Sequence, residues 1–264
     1  MKIDLHGRRA VISGSTAGIG LAIAKGLAEA GAAVVINGRG ESAVKAAVRQ
    51  VIEAVAGASV DGIAADLATN DGVTQFLRRV GNADILVNNL GIFEPKPFEE
   101  ITDADWYRFF ETNVMSGIRL SRHFLPAMRQ GNWGRIVFIS SESALNVPTE
   151  MIHYGMTKTA QLALSRGLAQ TMAGTNVTVN AVLPGPTRSK GVVEFLAAMA
   201  KDSDQPADVI EKEFIARNRP SSILGRFATP EEVANMVVYV CSEQASATTG
   251  AALRVDGGVV QYIV

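Results

Sequence analysis

Short apolar runs and helical stretches of ten or more residues alternate along almost the whole chain, and this order constrains the fold more than any other feature. Arg9 to Ser13, Ala33 to Asn37, Val60 to Ala65, Asp84 to Asn88, Gly134 to Ser140, Val177 to Val182 and Ala251 to Val255 read as strands. Between them lie expected helices at Gly18 to Ala30, Glu41 to Ala56, Asn70 to Val80, Asp103 to Arg129 and His153 to Met172. Strands joined by helical crossovers pair in parallel and with right-handed connections. The order therefore predicts an α/β chain with a doubly wound, Rossmann-like, parallel sheet of seven strands, helices on both faces and ligands at the carboxyl ends of the strands.

Helix ends support that reading. Ile19, Ile23 and Leu27 form one stripe of the first helix, and Gly31 stops it. Thr229-Pro230-Glu231-Glu232 has a capping threonine, a first-turn proline and a capping-box glutamate, so a helix starts there. The least regular stretch runs from Pro184 to Gly225. It is too long for a simple connection and reads as a substrate lid at about 186–225, the alternative being a solvated insertion. Nothing divides residues 1–264 into two domains.

Composition removes whole classes of function. The net charge of -1, with lysines and arginines scattered, offers no field for nucleic acid or an anionic membrane. No apolar run is long enough to span a bilayer. Cys241 is the single cysteine, so no intrachain disulfide forms, and the expected compartment is the cytoplasm. Cys241 itself reads as a core filler. No metal-ligand cluster is expected.

Two local patterns carry chemistry. Ser13-Gly14-Ser15-Thr16-Ala17-Gly18-Ile19-Gly20 falls at the first strand-to-helix turn, where glycines let a ligand approach the backbone and free N–H groups face a pyrophosphate. Its spacing differs from the usual dinucleotide fingerprint, and a similar turn can hold S-adenosylmethionine. A carboxylate after the second strand would take a ribose 2′-hydroxyl, but this chain has Asn37-Gly38-Arg39 there. Arg39 can fork onto a 2′-phosphate, so the expected cofactor is NADP, with NAD the alternative. The second pattern is Tyr154 and Lys158, four residues apart on one helix face. An ammonium beside a phenol favours the phenolate, so the pair is expected to lower the tyrosine's pKa and to exchange protons.

Together these motifs resemble the short-chain dehydrogenase/reductase family over nearly the whole chain, most closely the single-domain carrier-protein and carbonyl reductases. Gly14, Gly18 and Gly20 match its glycine turn, Asp66 its adenine-side acid, and Asn88-Asn89-Leu90-Gly91 the segment after strand four. Asn113 matches the family's helix asparagine. Ser141 lies thirteen residues before Tyr154, and Pro184-Gly185 with Ser189 matches the nicotinamide segment. Leu90 and Ser189 depart from the commoner Ala and Thr.

The resemblance implies hydride transfer between NADP(H) and a ketone or secondary alcohol. Ser141, Tyr154, Lys158 and Asn113 would be the catalytic residues, with Asn113 steadying a water that links Lys158 to solvent. Gly14, Ser15, Thr16, Gly18, Ile19, Gly20, Asn37, Arg39, Asp66, Leu67, Asn89, Gly91, Tyr154, Lys158, Pro184, Gly185, Thr187 and Ser189 would hold the cofactor. It further implies a homotetramer, or a homodimer, that buries the Tyr154 helix and the helix before strand five. The pocket is expected to be mostly apolar, walled by Phe93, Ala144 to Pro148 and Met151. Asn132 and Thr175 stand where carrier-protein reductases place docking arginines, although Arg129 and Arg135 are near. Alternatives are an epimerase or dehydratase with retained cofactor, a nicotinamide-binding sensor, and a methyltransferase. The last lacks its acid after strand two, and a sensor would typically lack the tyrosine.

Overall fold

The computed structural model describes residues 2–189, 191–193, 196–197 and 206–263. The strands are β1 (Arg9–Ile12), β2 (Ala33–Gly38), β3 (Val60–Ala64), β4 (Ile85–Asn88), β5 (Gly134–Ile139), β6 (Val177–Pro184) and β7 (Ala252–Val255). They form one sheet in the order β3-β2-β1-β4-β5-β6-β7. Every pairing is parallel, as the crossover argument requires. The order reverses between β1 and β4, so their carboxyl ends open a crevice for a ligand.

The main helices among the described residues are α1 (Gly18–Glu29), α2 (Glu41–Ala54), α3 (Asn70–Val80), α4 (Asp103–Phe110), α5 (Ser116–Gln130), α6 (Ile152–Thr171), α7 (Ala207–Asn218) and α8 (Pro230–Val240). Two apolar layers sandwich the sheet. One packs α1, α2 and α8 through Ile23, Leu27, Val44 and Val237; Cys241 is buried there, as expected of a core filler. The other packs α3, α5 and α6 through Phe76, Leu120 and Phe124. Continuous burial of β4, β5 and β6 explains why their sequences are mainly apolar and do not alternate, with Arg135 and Asn180 buried among them. The capping box expected at Thr229 and Glu232 is present, with Pro230 in the first turn.

The long helix expected from Asp103 to Arg129 is helical throughout but not uniformly α-helical. A π-helical turn at Glu111–Met115 separates α4 from α5. Such a turn inserts one residue into the helical ladder and is frequently found at functional sites. Here it carries Asn113. Within the 186–225 stretch, α7 and an isolated bridge between Thr187 and Ala228 are formed, whereas the polar Lys201 to Gln205 segment lies outside the described residues.

Candidate active site

The glycine turn between β1 and α1 forms as its sequence requires. Gly14 and Gly18 adopt φ of 60° and 55°, a region that disfavours side chains. A Cβ on Gly20 would come within 2.5 Å of the Asn89 amide. Ala17, which precedes α1, provides no side-chain cap, so the first N–H groups of the helix are not claimed by one. This is a fitting cradle for an anionic ligand.

Several residues expected to hold a cofactor also build the cradle itself. Asn37 is buried: its Oδ1 accepts from Gly14 N at 3.2 Å, and its Nδ2 donates to the carbonyls of Ile63 and Ala65, both at 3.2 Å. Ser15 is buried too, donating to the Ile12 carbonyl at 2.7 Å and accepting from Asn37 N at 3.0 Å. Leu67 is 1% exposed and belongs to the core, so its side chain is closed to a ligand. Asn89 ties the turn to β4, donating to the carbonyls of Ser13 and Gly14 at 3.0 and 2.9 Å. Asp66 does not cap α3, because Thr69 does, accepting from Gly72 N. Arg39 is exposed just beyond β2.

Ser141, at the end of β5, and Tyr154 and Lys158, near the start of α6, line one cavity of about 400 Å³ together with Gly91, Pro184 and Ser189. The Ser140 hydroxyl donates to the Lys158 carbonyl at 2.9 Å, and the Thr159 hydroxyl to the Ala144 carbonyl at 2.8 Å, which locks α6 to the end of β5. A Cβ on Gly155 would meet Val147 at 2.7 Å, so glycine lets that loop close over the helix.

The electrostatics differ from the expectation of an acidified tyrosine. Burial pushes the Tyr154 phenol up to about 12, against the pull of its hydrogen bond with Ser141. Burial likewise brings the Lys158 amine down to about 7. The Lys158 Nζ lies 5.6 Å from the centre of the Tyr154 ring and donates to the Ile139 carbonyl at 2.9 Å. Desolvation dominates both groups, favouring the neutral phenol and the neutral amine.

Asn113 is positioned by the π turn rather than by chance on a helix. Its Oδ1 accepts from Ile92 N at 2.8 Å, and its Nδ2 donates to the Ile92 carbonyl and to Thr157 Oγ1, both at 3.0 Å. Its main-chain carbonyl accepts from Gln161 Nε2 at 2.6 Å, and Gln161 Oε1 lies 3.4 Å from Lys158 Nζ. Gln161 thus bridges Asn113 and Lys158.

The far wall also differs from expectation. Phe93, Glu150 and Met151 line the cavity, whereas the Ala144 to Pro148 segment does not; Glu142, Phe214 and Arg219 do. Glu94 is engaged with Arg108. Glu142 and Arg219 escaped the sequence reading because their pairing joins segments 77 residues apart. Arg135 is 1% exposed and donates to the carbonyls of Gly134, Asn176 and Ser242, so it cannot meet a docking partner.

A family model described as enoyl-(acyl carrier protein) reductase matches residues 14–260. The oxidoreductase YvaG of Bacillus subtilis is 46% identical, with 100% of each chain covered. The chain belongs to the short-chain dehydrogenase/reductase family. As a member it is an oxidoreductase of alcohols and carbonyls that works with a nicotinamide dinucleotide. The L-sorbose reductase of Gluconobacter frateurii, solved with NADPH and L-sorbose, superposes with a TM-score of 0.93 at 33% identity over 100% of both chains. The 3-oxoacyl-carrier-protein reductase FabG of Aquifex aeolicus is 34% identical over 98% of this chain and 100% of its own.

Proposed function

We propose that the protein interconverts a ketone and a secondary alcohol with NADP(H) in the cavity where Ser141, Tyr154 and Lys158 meet. That convergence, at the carboxyl ends of β5 and β6 and beside the glycine turn, is the observation that carries the reading. The dinucleotide, when bound, supplies or takes up the hydride. The N-terminus of α1 and the Gly14–Gly18 turn hold its pyrophosphate. Arg39, for which no ion pair is seen among the described residues, takes a 2′-phosphate, and Asp66 faces the adenine. Binding of NADPH by a relative of 33% identity supports this choice over NAD.

In reduction the substrate oxygen sits between the Ser141 and Tyr154 hydroxyls. Negative charge grows on that oxygen, and the neutral phenol gives up its proton to it. The phenolate left behind favours the ammonium form of Lys158; a proton taken from solvent passes through that amine to the phenolate and restores the neutral phenol. Lys158 thus acts once the phenol has lost its proton. Tyr154→Phe tests the reading: NADPH oxidation with a panel of ketones falls about 10² to 10⁴-fold, while NADPH still binds by fluorescence. Near wild-type turnover would sink the assignment.

Assembly and compartment follow as further parts of the proposal. Tyr107 and Phe110 on α4 and Met156 on α6 are exposed, which supports pairing of these helices between subunits in a homotetramer or homodimer. Light scattering of the purified chain reads this directly, and a monomer contradicts it. Among the described residues no helix is long and apolar enough to cross a membrane, in keeping with a cytoplasmic enzyme.

A further inference from the structure

One buried titratable group beside the reacting residues has no part in hydride transfer. His153, the residue before Tyr154 and the second of α6, is 0% exposed. Its ring centre lies 3.9 Å from that of Phe109 and 5.9 Å, edge-on, from that of Trp106, both on α4. Neither Nδ1 nor Nε2 reaches solvent or finds a hydrogen-bond partner among the described residues. A buried polar atom left unpaired is costly, so its place in the fold calls for a physical reason.

The surroundings favour the neutral ring. Four charged groups act on it, Asp105 and Arg108 from α4 and Glu94 and Lys96 from the segment before α4. They are already paired with one another: Lys96 Nζ lies 2.7 Å from Asp105, and Arg108 bonds both Asp105 and Glu94. On α6 itself Tyr154 and Lys158 face the cavity. An imidazolium in this niche would have two N–H donors and no unclaimed acceptor. Burial outweighs the two carboxylates and holds His153 below its ordinary pKa of 6.5. The N-terminus of α6 has no side-chain cap. Packing of the imidazole on α4 thus holds a turn that no capping side chain holds, and Tyr154 stands on that turn, its ring meeting Phe93 edge-on at 6.4 Å.

We propose that His153 is a positioning residue for the reaction: its neutral imidazole, seated on Phe109 and Trp106, fixes the turn of α6 that presents Tyr154, and proton uptake by the ring releases that turn. This rests on the reading of Tyr154 as the proton donor to a carbonyl. A charged ring must leave the aromatic niche to reach water or an acceptor, and Tyr154, the next residue, moves with it. The enzyme therefore loses activity on acidification without unfolding. The Tyr154 phenol, pushed up to about 12, and the Lys158 amine, at about 7, take up their protons at higher pH, so neither accounts for a loss below pH 6.5.

The test follows the full-length protein from pH 8 to pH 5 by tryptophan emission, by NADPH oxidation with the best ketone of the panel, and by far-ultraviolet circular dichroism. The chain has two tryptophans, and Trp106 is the one in contact with His153. An imidazolium quenches an indole beside it, so emission is expected to fall with a midpoint below pH 6.5. The value of kcat/KM is expected to fall with the same midpoint, by about tenfold for each further pH unit, while circular dichroism stays level. In His153→Phe, whose ring fills the niche without a charge, both transitions vanish. Emission that does not titrate in this range, or titrates at 6.5 or above, overturns the proposal and requires no variant to fold. A titration without loss of kcat/KM overturns it, as does a loss that coincides with collapse of the circular dichroism or persists in His153→Phe. An inactive panel at every pH, with emission titrating as expected, overturns the carbonyl-reducing reading and the role of His153 with it.

Discussion

Gln161 joins Asn113 to Lys158: its amide donates to the Asn113 carbonyl at 2.6 Å and its oxygen faces the Lys158 Nζ at 3.4 Å. Gln161 lies almost one turn beyond Lys158 on α6, and the π turn brings the Asn113 carbonyl to meet it. An acceptor on Nζ favours the ammonium. Gln161→Leu therefore lowers the Lys158 pKa further, so the alkaline limb of the kcat/KM profile moves to lower pH. Gln161→Glu moves the limb to higher pH. Unchanged limbs in both variants would show that the contact has no influence on the amine.

Arg39 is exposed beyond β2, beside a glycine turn that Gly38 helps to close, since a Cβ there would come within 2.5 Å of Thr16. A charged hydrogen bond is worth about 1.5–3 kcal/mol, or roughly ten- to a hundredfold in affinity. Arg39→Ala is expected to raise the Kd for NADPH by that factor and to leave the Kd for NADH nearly unchanged. Calorimetric titration with both dinucleotides measures this. Equal losses for the two would remove Arg39 from 2′-phosphate recognition.

Burial of Lys158 also makes a prediction about stability. Its amine falls from 10.5 in the unfolded chain to about 7 in the fold, so between these values the unfolded chain binds more protons. Stability gained from this residue therefore rises from pH 7 toward pH 10.5, by at most about 1.4 kcal/mol per pH unit. Above pH 9 the Cys241 thiol, which burial pushes up to about 12, begins to oppose it. Urea denaturation at pH 7, 8 and 9 is expected to show a rising midpoint that Lys158→Met flattens. A parallel profile in the variant would mean that the amine keeps its ordinary pKa.

What could be read along the chain was local. The alternation of apolar runs and helices, the Gly14 to Gly20 turn and the Thr229–Glu232 capping box depend on neighbours a few residues away, and each forms where expected. Asn37 shows where such reading stops. Its position beside Arg39 gave no sign that its side chain bonds Gly14 in the glycine turn and Ile63 and Ala65 at the end of β3. The π turn within the Asp103 to Arg129 helix was hidden for the same reason, because the groups that hold Asn113 belong to Ile92 and Thr157.

The sequence by itself determined the order of strands and helices, the parallel sheet, and the presence of a serine, a tyrosine and a lysine able to serve one reaction, because periodicity and spacing act over a turn or two of chain. Only the tertiary structure decided the charge states and the shape of the site. Desolvation, which raises the Tyr154 phenol and lowers the Lys158 amine, depends on everything packed around them. The Glu142–Arg219 pair likewise exists only once α7 has been folded back over the end of β5.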